Sequence, residues 1–135
     1  MQPDRPKDLA AYRLQQAVEC LQGAERELVA EAFKNAANRS YYCIFNAMRA
    51  VLALDCFDSK RHSGVISAFN KDYIRTGIFP VEFSKIIDSA FRVRTESDYE
   101  EFYVISKEKV TSQTENAKTF LTAVEKYVGE RIQST

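Results

Sequence analysis

The densest chemistry in this 135-residue chain lies in nine residues, Phe91-Arg92-Val93-Arg94-Thr95-Glu96-Ser97-Asp98-Tyr99. On a continuous helix Arg92 and Tyr99, seven residues apart, share a face about two turns apart, roughly 10 Å along the axis. An arginine fork beside a phenolic hydroxyl can hold a phosphate, and the hydroxyl can accept one. The same stretch also spells two i,i+4 ion pairs, Arg92–Glu96 and Arg94–Asp98, of the kind that decorates a solvated helix face.

A second concentration of polar groups runs through an otherwise apolar segment. Asn35, Arg39, Asn46 and Arg49 fall at spacings of four, seven and three with Tyr42 between them, and no acid occurs from Ala32 to Leu54. At helical period these side chains lie on one face. Lys60, Arg61, Lys71 and Arg75 follow, against Asp72 alone. The stripe reads either as arginines paired with acids on other helices or as a basic groove or subunit interface, with a phosphate backbone as the obvious occupant. His62, the one histidine, sits where a third helix would start. It is either a structural hydrogen-bonder or the group that any near-neutral acid–base chemistry would have to use.

The rest of the chain bounds what these groups can belong to. Nineteen basic residues balance nineteen acidic ones, so nucleic-acid contact would rest on a local patch rather than a global field. No His/Cys cluster or Asp-rich loop points to a metal, no Gly-rich loop to a phosphate cofactor, and no cofactor is expected. No apolar run reaches the ~18 residues of a membrane span, and Met1–Lys7 leads into no apolar h-region of a secretory signal. Cys20, Cys43 and Cys56 show no Cys-x-x-Cys spacing and read as reduced, mostly buried thiols of a cytoplasmic protein.

With four glycines, three prolines and no period-two alternation, the chain reads as all-α and as one domain over 1–135. The predicted architecture is an up-and-down bundle of four long helices plus one short connecting helix. The spacing places helices at about Lys7–Val29 and Asn35–Leu54, and a short one after Ser59. A fourth runs from near Pro80 to about Tyr99, and a fifth starts after Ser106. Val110, Thr114, Ala117, Leu121, Val124 and Val128 alternate spacings of four and three, the seam of a nearly antiparallel helix.

Three blocks, in order and spacing, resemble a known family. Asn38-Arg39-Ser40-Tyr41-Tyr42-Cys43-Ile44-Phe45-Asn46-Ala47-Met48-Arg49-Ala50 resembles the second helix of HEPN domains (higher eukaryote and prokaryote nucleotide-binding). His62-Ser63-Gly64-Val65-Ile66 and Arg92-x-Arg94-x-x-x-Asp98-Tyr99 with a following aromatic are similar to an uncharacterised prokaryotic branch of that superfamily. The likeness spans about Ala10 to Val128. It implies a helical bundle that forms homodimers, often encoded beside a minimal nucleotidyltransferase as toxin and antitoxin, with RNA or nucleotide as ligand.

Active members implied by the resemblance are metal-independent RNases with an Arg-x4–6-His motif at the dimer cleft. In the nucleotidyltransferase-paired group this extends to Arg-x4-His-x-Tyr, whose tyrosine the partner can adenylylate. On this chain the extended motif puts its arginine at Arg92, its tyrosine at Tyr99 and serine, Ser97, at the histidine position. Serine cannot replace imidazole in proton transfer near neutral pH. The resemblance therefore implies phosphate binding by Arg92 and Arg94, with Tyr99 as the modification site, and Arg39 and Arg49 of the polar stripe are further phosphate-binding candidates. The alternative, an RNase, would need His62, reaching the cleft from another helix or subunit, or Tyr99 to replace the missing base, with Arg92 and Arg94 stabilising charge on the scissile phosphate.

Overall fold

The computed structural model describes residues 5–100 and 102–134. They form α1 (Arg5–Val29), α2 (Phe33–Ala53), α3 (His62–Phe69), α4 (Glu82–Tyr99) and α5 (Lys107–Gln133), with a π turn, Asn70–Ile74, continuing α3. This is an all-α, up-and-down bundle of four long helices with one short connecting helix. Among the described residues no helix is long and apolar enough to cross a membrane. Met1–Asp4, part of the segment read against a secretory signal, lies outside the described residues.

The central helix is α2, in contact with every other helix. Its sequence dictates that place, because apolar residues run around all but one polar stripe of its circumference, from Ala36 to Ala53, and thirteen of its residues are buried. The deepest residues of α1 are Ala10, Arg13, Ala17, Leu21 and Ala24, while Leu14, Val18 and Leu28 are only half-buried. Small side chains let α1 and α2 approach closely, so the stripe that faces α2 is the alanine row rather than the leucine row. Along α5, Val110, Thr114, Ala117, Leu121, Val124 and Val128 are all buried, as the four-three alternation predicts.

The helix ends follow from local chemistry. Ser106 caps α5 by accepting from the Lys109 N–H at 3.1 Å. α1 and α2 end in Schellman turns: Ala32 N–H donates to the Glu27 carbonyl, and Phe57 N–H to that of Leu52. The left-handed position in each turn holds a non-glycine, Glu31 at φ 61° and Cys56 at φ 60°. Such a residue costs about 1 kcal/mol relative to ordinary helix geometry. At the start of α3, Ser59 is not the cap its sequence position predicts; Arg61 is, without a side-chain bond. The Ser59 hydroxyl instead accepts from the Arg61 N–H at 3.2 Å and lies 2.3 Å from where a Cβ on Gly64 would stand. Only glycine lets the α2–α3 loop tuck in this tightly.

That loop is fastened at both ends. Asp55 accepts from Arg131 of α5 at 3.1 Å and from the Tyr73 hydroxyl, and Arg131 also donates to Tyr73 at 2.7 Å and Tyr127 at 3.2 Å. Three residues on, Asp58 accepts from Arg13 of α1 at 3.1 Å and pairs with Arg49 of α2 at 3.4 Å. His62, the first residue of α3, is held between these attachments and the core.

Candidate functional site

The polar stripe of α2 runs down its seam with α1. At one end the Arg39 stem lies over the backbone of Gly23, its Cδ 3.5 Å from a Cβ position there. In the middle, Asn46 Nδ2 is 3.9 Å from the Cys20 sulfur. At the other end Arg49 meets Arg13, which donates to the Arg49 carbonyl at 3.2 Å and is itself 6% exposed. The counter-charge missing from the α2 sequence is Asp58, just past the helix end. Burial opposes ionisation of Asp58, but the Ser59 N–H and the Arg13 and Arg49 guanidiniums hold its carboxyl below the usual carboxylate range. Arg13 is pushed down by burial and by Arg49.

Beside this cluster is an aromatic box that contains the histidine. The His62 ring stacks on Phe45, with centroids 4.1 Å apart at 20°, and on Tyr41 at 5.7 Å and 13°. Tyr42 meets it edge-on at 5.9 Å. The Tyr41 hydroxyl lies 2.6 Å from His62 Nδ1. Arg94 arrives from α4: its guanidinium carbon stands 5.4 Å from the Tyr41 ring centre and 5.3 Å from that of Tyr42, and Nη2 donates to the Tyr42 hydroxyl at 2.9 Å. On the other side, Arg49 lies 5.8 Å from the Phe45 ring. One imidazole thus sits between two guanidiniums.

The electrostatics follow from that arrangement. Burial, then the Arg94 and Arg49 charges, lower the His62 pKa from its usual 6.5, so the ring is neutral at neutral pH. Burial raises the pKa of Tyr41, which keeps its hydrogen. Among the described residues that hydrogen has no acceptor but Nδ1, which leaves the imidazole hydrogen on Nε2. The Nε atoms of Arg49 and Arg94 are buried without an acceptor. Two guanidiniums and one imidazole thus bring N–H groups from three side chains together beside the aromatic rings.

The predicted site residues divide between two surfaces. Arg49, Arg94 and His62 gather around Tyr41, Tyr42 and Phe45. Arg39 belongs to the neighbouring α1–α2 cleft, which Tyr42 also lines. Arg92 and Tyr99 point to solvent, Tyr99 being 85% exposed at the last turn of α4. Of the two helical ion pairs, Arg94–Asp98 forms at 3.8 Å, while Glu96 takes the Tyr103 hydroxyl and Arg92 has no ion pair among the described residues. Cys43 is buried, Cys20 half-buried and Cys56 exposed; all three are free thiols.

Sequence reasoning passed over Arg13, Asp58 and Tyr41. A signal for the inward arginine was present: Arg94 lies four residues after Ala90 and seven after Ile87, both fully buried, whereas Arg92 falls on the far side of that stripe.

The comparisons with known proteins agree with this architecture. A family model described as HEPN domain matches residues 10–127. A "UPF0332 protein" of Thermotoga maritima is 34% identical over 117 residues, covering 87% of this chain and 89% of the relative. A protein of Methanocaldococcus jannaschii named "Putative toxin MJ0142" is 30% identical over 115 residues, 85% of this chain and 78% of the relative. A "UPF0332 protein" of Gloeobacter violaceus is 38% identical over 87 residues, 64% of this chain and 68% of the relative. With the greater part of its length matched by the family model, the chain belongs to the HEPN domain family.

Proposed function

We propose that this chain is the HEPN half of a cytoplasmic toxin–antitoxin-type module, acting with a minimal nucleotidyltransferase and binding a phosphate of RNA or nucleotide in the Arg94 recess. The carrying observation is the donor set. Arg94 and Arg49 flank an imidazole whose Nδ1 is occupied by Tyr41, so the ring offers a hydrogen rather than a lone pair. The names of two Methanocaldococcus jannaschii relatives, "Putative toxin MJ0142" and "Putative toxin MJ0605", support the toxin-type assignment. Tyr99 lies outside the recess, five residues beyond Arg94 and about 7.5 Å along the axis. Its exposure makes it an accessible acceptor for a nucleotidyl group. Tyr99, Phe102 and Val104, exposed by 85%, 89% and 88%, supply apolar surface for a second copy of the chain or the partner enzyme.

Co-expression with a nucleotidyltransferase encoded next to it, followed by mass spectrometry, tests this function. The expected result is a stable complex with one nucleotidyl group on Tyr99 that disappears in Tyr99→Phe. An unmodified chain with no complex would reject the pairing. RNA binding that is indifferent to Arg94→Gln would reject the recess.

A second reading, metal-independent RNA cleavage, is favoured by one observation: His62 is neutral at neutral pH and flanked by two cations. To act as a base the ring would carry its hydrogen on Nδ1, donate it to the Tyr41 oxygen and free the Nε2 lone pair. Arg94 and Arg49 would then stabilise charge at the scissile phosphate. A metal-free assay on mixed RNA decides between the readings, since cleavage should vanish in both His62→Gln and Arg94→Gln. Residual activity in both would mark a contaminant.

A further inference from the structure

Next to the recess lies a cleft that the phosphate site does not use. It opens between α1 and α2, holds about 330 Å³, and is lined by Cys20, Glu27, Asn35, Asn38, Arg39 and Tyr42. Its volume is at the lower end of the range for small-ligand sites, about 300–1,000 Å³. The lining is made by helical register: Cys20 and Glu27 are seven apart on α1, and Asn35, Asn38, Arg39 and Tyr42 fall at i, i+3, i+4 and i+7 on α2. Among the described residues neither Glu27 nor Arg39 is held in an ion pair. Tyr42 is the shared wall: it lines the cleft, and its hydroxyl accepts from Arg94.

We propose that this cleft is a base-reading subsite that takes an unpaired guanine attached to the phosphate held at Arg94. The inference rests on the recess being a phosphate site. Its chemistry is that of the two charged side chains. A carboxylate accepts from two adjacent N–H groups, and the N1–H and N2–H2 edge of guanine offers two. A guanidinium fork donates to two adjacent acceptors, and the O6 and N7 atoms of guanine supply them. Cytosine lacks the adjacent donors, and adenine and uracil lack both pairs, so each would leave Glu27 or Arg39 incompletely partnered in the cleft. Tyr42 gives the base an aromatic wall to lie against, and the Asn35 and Asn38 amides can serve either edge. The guanine could come from a single-stranded RNA or from a free nucleotide.

The test is fluorescence anisotropy, at fixed salt, with labelled RNA tetramers of uridine carrying a single G, A or C, and with free guanosine monophosphate as competitor. Wild type should bind the G-containing tetramer about ten-fold more tightly than the all-uridine one. Glu27→Gln is the decisive variant. It removes a negative charge, so general electrostatics would tighten every RNA; the subsite instead requires the G tetramer to weaken about ten-fold. Arg39→Gln should erase the same preference. Arg94→Gln should weaken all tetramers alike.

Arg94-dependent binding without a preference for G, or a preference that survives Glu27→Gln, would overturn the subsite and leave the phosphate reading intact. Guanosine monophosphate bound in a Glu27-dependent way, with no RNA bound, would uphold the subsite and identify its ligand as a free nucleotide. Binding of neither would remove both. Melting temperatures of the variants within a few degrees of wild type exclude misfolding as the cause.

Discussion

The hydroxyl of Tyr41, buried in the middle of α2, stands 2.6 Å from Nδ1 of His62, the first residue of α3. Through this bond the packed interior fixes the tautomer of the one histidine.

Tyr41→Phe removes that bond while keeping the ring. The variant should lose about 1 kcal/mol of stability, the net value of one hydrogen bond, measured by urea denaturation. Because His62 is the one histidine, its imidazole signals in an NMR spectrum are unambiguous. Wild type should show the Nε2–H tautomer, and Tyr41→Phe a mixture of both. A mixture already present in wild type would contradict the hydrogen assignment.

Stability should fall on the acid side of neutrality. In the unfolded chain His62 takes up a proton near pH 6.5. In the folded protein, burial and the two neighbouring arginines lower that value. The unfolded state therefore binds more protons below about pH 6.5, and the contribution of His62 is complete above that pH and lost as the pH drops through the folded value. Urea midpoints at pH 7.5 and 5.5 should differ in wild type and differ less in His62→Gln. Asp58, whose folded pKa is also depressed, acts in a separate window at the acid end of the carboxylate range.

Asp58→Ala should destabilise more than the half-exposed position of its carboxylate implies. The side chain it leaves behind, Arg13, is 7% exposed and has no other acid within 4.0 Å among the described residues. A loss of about 1–2 kcal/mol is expected, below the ~3–5 kcal/mol of a fully buried pair because Asp58 itself is partly solvated. Arg13→Met in the same chain should recover part of the loss, since it withdraws the stranded charge. A double variant weaker than the sum of the two singles would refute this account.

Gly64→Ala should behave as an overpacking change. The added methyl would stand 2.3 Å from the Ser59 hydroxyl and 3.0 Å from its Cβ, so the loop must move. The expected cost is about 1–3 kcal/mol. Gly129→Ala, whose new Cβ would meet nothing within 4 Å, serves as the control and should be neutral or slightly stabilising. The two melting curves separate the cases.

The bundle was readable from the chain wherever periodicity carried the information. The four-three rhythm of α5, the largely apolar circumference of α2 and the cap at Ser106 depend on neighbours in sequence, and each is found where the spacing put it. The recess depends on pairs far apart in the chain. Arg13 and Asp58 are 45 residues apart, Tyr41 and His62 21, and Tyr42 and Arg94 52. No local pattern announces such partners. An arginine inside the small-residue row of α1 looks like a surface residue until the acid that neutralises it is located. On α4, Arg92 and Arg94 point apart because residues two positions apart on a helix cannot share a face, and the sequence motif, which treats them together, hides that difference.

The clasp of Arg131 on Asp55 and Tyr73 has a practical consequence. It couples the last turn of α5 to the loop that delivers Asp58 and His62, so the recess is sensitive to events at the end of that helix. Trimming α5 before Arg131, or unwinding that turn, would slacken the loop and let Asp58 and His62 shift while Arg49 and Arg94 stayed on their helices.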